Sequence, residues 1–396
     1  MKLVKSAIRY LGLAALLFQG SIAYGLQVNH TMDVQWRGFS EVSKDQPRFN
    51  RDVSVSFETE FRTSFNDGNT TLTLTPFARW DSRDPEQRHY DIREFNVIHA
   101  KGDWEFQGGV SKVFWGVAES NHLVDVINQT DYLENMDGED KLGQPLIQVS
   151  RSFEQSSLSL YVMPGFRERE YRSLDDPLAL PFPVSDQALY ESEDGDDHID
   201  YALRFSGYYD AIDYGVSFFR GTSREPTFIP GENPYELTAY YPQMDQFSVD
   251  IQLTSESWLW KLEAIRRKYT FHSYNAVVAG FEYSIYGMAD GLFDLGLLAE
   301  YHYDDRGDPA TVAFQNDLFL GMRFGFNDAE SSEILAGAFY DLDDDTMALR
   351  VEANRRIADN AKLSVEAQVF TNVDDGNLSY SLRHSDYILI SLEYFF

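Results

Sequence analysis

The sequence contains no cysteine. Its absence excludes disulfides, thiolate metal sites, covalent c-type haem and a lipid-modified N-terminal Cys, so strand pairing and packing alone must stabilise the fold. Long apolar runs are also lacking. Beyond Leu11 to Phe18, the strongest, such as Tyr387 to Leu392, fall short of the ~20 residues of a spanning helix. Membrane residence would then require a barrel, which satisfies every backbone group between strands. Basic charge is scarce, with 33 Lys+Arg against 64 Asp+Glu and a net charge of −31. A nucleic-acid partner is excluded on that balance, because phosphates call for a basic face. No Walker-type or dinucleotide glycine motif is present, and the His residues at 30, 89, 99, 198, 272, 302 and 384 form no close ligand spacing, so neither cofactor nor metal is expected.

The N-terminus has Lys2, Lys5 and Arg9, then the apolar run, then Ser21-Ile22-Ala23. This is the pattern of a secretory signal peptide over 1–23, leaving 24–396 as the mature chain. With 24 Tyr and 29 Phe, aromatics reach 15% although the mean hydropathy is only −0.38. Aromatic richness without bulk hydrophobicity fits strands with one face in water and aromatic girdles at two interfaces.

From Asp52 onward, apolar side chains recur at every second position, the period of a strand. Val53, Val55, Phe57 and Phe61 alternate with Ser54, Ser56, Glu58, Glu60 and Arg62. Phe247, Val249, Ile251 and Leu253 repeat the pattern, as do Leu363, Val365, Ala367 and Val369. Strands are predicted at 29–40, 52–65, 70–82, 90–100, 103–113, 144–153, 157–164, 198–207, 212–222, 244–254, 257–269, 274–286, 291–304, 313–326, 332–343, 346–357, 361–373 and 386–396. The segment 90–100 changes phase near Arg93, which implies a bulge.

Links after every second strand are short and several of the others long, the asymmetry of periplasmic turns and extracellular loops. The expected fold is therefore all-β: a transmembrane antiparallel up-and-down barrel of about eighteen strands, with sixteen as the alternative. Only about 28 mature residues precede Asp52, too few for a plug domain.

The third outward loop, Phe114 to Asp131, mixes apolar anchors (Phe114, Trp115, Leu123, Val124, Val126, Ile127) with polar groups, and should fold back against the inner wall. In this loop, the strand plan, the leader and the terminal aromatic strand, the sequence resembles the porins. Its Trp-Gly-x-x-Glu-Ser run also looks like loops of uncharacterised proteobacterial barrel families. The porin resemblance implies an outer-membrane channel for passive diffusion of small hydrophilic solutes. Its partners would be outer-membrane lipid, lipopolysaccharide and the barrel-assembly machinery, with a homo-trimer left open. It also implies a constriction with Glu119, Asp125 and Asp131 on the acidic side. Alternation places Arg62, Arg79, Arg204, Lys261, Arg267, Arg323 and Arg350 on the polar faces opposite.

Lumen acids Glu58, Glu60, Glu105, Asp200, Asp250, Glu263, Glu282, Glu300 and Glu366 outnumber these bases, so a modest cation preference is expected. Rival readings are a channel for lipid or apolar solutes, a surface hydrolase and an adhesin. Ser120, His122 and Asp125 superficially offer a catalytic triad, but neighbours in one loop rarely achieve triad geometry, so no enzyme is expected. Acidic runs at Glu191 to Asp197, Asp304-Asp305 and Asp341 to Asp345 suit weak, delocalised divalent binding. Arg167, Arg169 and Arg172 open a long loop that reads as a lid, a receptor surface or a cap. Phe396 lies in phase with Ile388, Ile390, Leu392 and Tyr394, and resembles the assembly signal of barrel precursors.

Overall fold

The structure, a computed structural model, describes residues 24–40, 48–231, 233, 235–307, 310–312 and 314–396. The leader expected over 1–23 lies outside the described residues. Eighteen strands form the wall: β1 (Tyr24–Phe39), β2 (Arg51–Phe65), β3 (Thr70–Asp81), β4 (His89–Lys101), β5 (Trp104–Ser111), β6 (Gln144–Ser152), β7 (Ser156–Pro164), β8 (Ile199–Tyr209) and β9 (Ile212–Thr222), followed by β10 (Gln243–Ser255), β11 (Trp258–Tyr269), β12 (Ser273–Gly287), β13 (Phe293–Asp304), β14 (Asn316–Phe326), β15 (Glu333–Asp341), β16 (Met347–Ala358), β17 (Ala361–Thr371) and β18 (Tyr387–Phe395).

Each strand pairs antiparallel with its neighbours, and β1 closes the sheet: Val34 faces Val55 of β2 on one side and Leu392 of β18 on the other. Closure leaves no edge. All eighteen expected strands are present, which sets the sixteen-strand alternative aside. The first differs most, beginning at Tyr24 rather than 29.

Alternation sorts the two faces. Trp36, Val53, Phe57 and Trp80 are exposed on the outside, whereas Ser54, Ser56 and Arg79 are buried inside. At Arg93 the ladder slips: Thr75 pairs with Glu94 but Pro76 with Ile92. That is the bulge expected from the phase change, and Pro76, which has no N–H to donate, sits where the ladder is interrupted.

Short turns gather at one end of the barrel and long loops at the other. The long ones include L3 (112–143), L4 (165–198) and L5 (223–242). Above the barrel, Leu189–Tyr190 of L4 joins Thr227–Pro230 and Leu237–Tyr241 of L5 in a three-stranded sheet that the alternation pattern does not predict, its Ala239 and Tyr241 packed on Phe166.

The inner wall is unevenly covered. Inward residues such as Ser217, Gln246, Glu263, Val278 and Glu300 are buried, whereas Arg323, Leu335, Arg350, Glu366 and Gln368 on β14–β17 are half-exposed. Loops therefore pack against one side of the lumen and leave water access along the other.

Candidate functional site

L3 is held by apolar packing and by buried carboxylates. Trp115, Val124, Val126 and Ile127 pack with the inward Leu146, Tyr161, Met163, Phe219 and Ile265 into one buried cluster. Each fully buried aliphatic side chain contributes about 1.5–3 kcal/mol. Phe114 stays largely exposed, its ring edge-on to that of His122.

Glu263 of β11, with no exposed side-chain surface, accepts backbone N–H bonds from Val117 (2.7 Å), Ala118 (2.9 Å) and Val124 (3.1 Å). Glu300 of β13 accepts from the N–H of Glu119 (2.7 Å) and of Ser120 (2.9 Å), and from the Ser120 hydroxyl. Gly116 makes the approach possible, since at its φ of +142° a Cβ would lie 2.9 Å from Glu263 Oε1 and 3.0 Å from His122 Nδ1.

Charge pairs tie the loop to the remaining wall. Glu119 accepts from Arg323 of β14 at 2.6 Å and from Lys261 of β11 at 3.2 Å. Burial opposes its charge, but the two cations prevail and hold the carboxyl below the usual range. Arg79 donates to Glu134 at 3.0 and 2.6 Å, and Arg93 pairs with both Asp131 and Glu134. Burial likewise opposes the Glu134 charge, and Arg79, His89 and Arg93 keep it ionised well below the ordinary carboxylate value. Arg350 of β16 reaches Asp137 at 2.6 Å.

The structure thus brings Glu119 together with Lys261 and Arg323. Asp131 goes to Arg93, and Asp125 is buried beside Lys141 within the loop (3.3 Å). Of the other basic candidates, Arg204 pairs bidentately with Asp250 (both 2.8 Å), Arg267 meets Glu225 at 2.9 Å, and Arg62 is exposed near the short-turn end.

L4 locks L3 from above, a role its sequence left open. Arg172 donates to the carbonyls of Tyr132, Leu133 and Glu134, and Arg167 pairs with Asp91 of β4. Arg224 of L5 donates to the carbonyl of Ile127.

The arrangement does not assemble a triad. Ser120 Oγ meets His302 Nε2 at 2.9 Å, not His122, and His302 Nδ1 is buried with no hydrogen-bond partner among the described residues. His122 turns to Glu139 at 3.0 Å and lies 3.9 Å from Glu263. Burial alone would depress its pKa, but those two carboxylates raise it to about 10. His89, Asp131 and Glu134 lie close enough to share a cation. Arg79 and Arg93 already neutralise both carboxylates, so a divalent ion would have to displace them.

The sequence matches no protein-family model and no curated protein. Solved structures do match in fold. Pseudomonas aeruginosa OccK5 (OpdH) superposes with a TM-score of 0.55, covering 93% of this chain and 97% of its own at 8% identity. The BenF-like porin of Pseudomonas fluorescens Pf-5 gives 0.55 over 93% and 98% at 10% identity, and Acinetobacter baumannii OccAB3 gives 0.55 over 94% and 99% at 8%. At such identities the likeness is one of fold: this chain has the porin-type barrel.

Proposed function

We propose that the protein is an outer-membrane channel that passes small hydrophilic solutes by diffusion, with a modest preference for cations. The observation that carries this reading is the half-exposed polar wall of β14–β17, facing a loop held across the lumen by Glu263, Glu300 and Arg323. An apolar exterior with stacked aromatics, as at Trp258 and Trp260, suits a lipid surround. The BenF-like porin of similar fold supports the channel reading by analogy. The long loops would face outward, the leader at 1–23 would direct export, and Phe396 would mark the precursor for the assembly machinery.

Cation preference rests on an excess of acids over bases along the wall. Asp33, Glu58 and Glu60 are half-exposed on inward positions, and farther round the wall Glu282 and Glu333 share Arg323 with Glu119, while Glu352 and Glu366 share Arg350 with Asp137, three carboxylates to each guanidinium. Carboxylates lining a narrow low-dielectric passage raise the local cation concentration. A lipid path would need an apolar lumen wall, which these positions lack. The test is planar-bilayer recording of the refolded protein. Discrete conductance steps support the channel, whereas silence with lipase or protease activity would replace it with the enzyme reading.

A further inference from the structure

The outer wall of β10–β14 carries a shallow apolar groove of about 510 Å³, walled by Trp260, Leu262, Phe281, Tyr301 and Leu318 around the small Ala279. Strand register continues it toward the long-loop end. Ala264 lies opposite Val277, and above them Arg266 lies opposite Asn275. Roughly 13 Å of strand separates Leu262 from Arg266. In the next row Lys268 faces Asp245, which in turn faces Arg220.

All three cations are exposed on the outside of the barrel. Arg220 neutralises Asp245 at 2.6 Å. Arg266 donates to the Asn275 amide oxygen at 3.1 Å and to the Ser273 hydroxyl at 3.5 Å, and among the described residues neither it nor Lys268 forms an ion pair, although Asp245 faces Lys268 across the strands. Two outward cations that form no ion pair among the described residues, at the head of an apolar groove, in a chain of net charge −31, match an amphiphile with acyl chains below and phosphate above. A guanidinium facing the bilayer interface is stabilised by an anionic headgroup. The row from Arg220 to Lys268 spans two strand spacings, roughly 10 Å, wider than a single phosphate.

We infer that this face is a binding site for a phosphorylated, multiply acylated glycolipid of the lipid A type, one acyl chain lying in the groove and the phosphates on Arg266 and Lys268. The inference rests on the outer-membrane placement proposed above, but not on conduction. The test is native mass spectrometry of the full barrel in detergent, titrated with bisphosphorylated, hexa-acylated lipid A and separately with phosphatidylglycerol. The double variant Arg266→Gln/Lys268→Gln, and independently Ala279→Phe, which fills the groove, should each weaken lipid A binding at least about tenfold. Arg151→Gln, an outward cation at the opposite rim, should leave it unchanged. Binding by both variants within about twofold of wild type would overturn the site. Phosphatidylglycerol binding as tightly, and being lost in parallel, would overturn the glycolipid assignment. Heat-modifiable migration confirms folding in each variant, and bilayer recording of the same samples reports on the channel separately.

Discussion

Glu119 in L3 and Arg323 on β14 stand 204 positions apart in the chain and share a 2.6 Å hydrogen bond. Together with Lys261 at 3.2 Å, this contact fixes the reach of L3 across the lumen. Glu119→Gln should weaken the tether by about 2 kcal/mol, the scale of a charge-assisted hydrogen bond. Removing its charge also takes the carboxylate from Lys261 and one of three from Arg323, which keeps Glu333 and Glu282, so the lumen becomes less negative. The expected outcome is noisier single-channel current and a smaller cation preference, read from the reversal potential; a variant indistinguishable from wild type in both would count against the tether.

Glu263 is the anchor of the loop's first half. Glu263→Ala leaves three backbone N–H groups without their acceptor and should cost about 3 kcal/mol or more. Glu263→Gln keeps one oxygen for Val117 and Ala118 but presents an amide to the Val124 N–H, so it should cost less. Thermal unfolding in detergent gives the order wild type, Gln, Ala in falling stability. An Ala variant as stable as wild type would show that packing alone holds L3.

The pH dependence of the same anchor follows from His122, raised to about 10 by Glu139 and Glu263 against the opposing effect of burial. Asp125 and the Phe114 ring also face it. An imidazole whose folded pKa lies above its unfolded 6.5 adds stability that is complete below about pH 6.5 and exhausted above about pH 10. Between those limits stability should fall by at most about 1.4 kcal/mol per pH unit. His122→Gln should flatten this decline, and equal slopes in the two proteins would refute the assignment.

Much of this architecture is legible in the sequence because a two-sided strand writes its faces into every second residue. Val53, Val55 and Phe57 against Ser54, Ser56 and Glu58 place β2, and the phase change at Arg93 places the bulge. The pairing of Glu119 with Lys261 and Arg323 was also within reach, since alternation puts both bases inward. In the sequence the clamps Glu263 and Glu300 read only as lumen acids. Nothing local distinguishes a carboxylate that faces water from one that receives backbone N–H groups of a distant loop. A signal did exist: Leu146, Tyr161, Met163, Phe219 and Ile265 are apolar at inward positions, and they mark the wall on which L3 lies. The sheet shared by L4 and L5 had no such trace, because its strands are short and flanked by prolines and acids.

The seam of the barrel gives a prediction about assembly. Phe396 exchanges two backbone hydrogen bonds with His30 (2.9 and 3.0 Å), and its ring lies 5.2 Å from His30 and 5.6 Å from Tyr394. The side chain is 56% exposed, so truncating it should cost only about 1 kcal/mol of burial. If the residue also serves as an assembly signal, Phe396→Ala should lower the heat-modifiable, membrane-inserted fraction several-fold, well beyond that cost. Normal insertion of the variant would contradict the signal role.

A water-filled passage along β14–β17, where carboxylates outnumber the arginines that pair with them, should favour cations. The most direct measurement is the reversal potential of the refolded protein in a planar bilayer under a KCl gradient. Discrete conductance steps should reverse on the potassium side of zero, with the offset shrinking as salt screens the wall. Steps that reverse on the chloride side, or a barrel that never conducts, would contradict this reading.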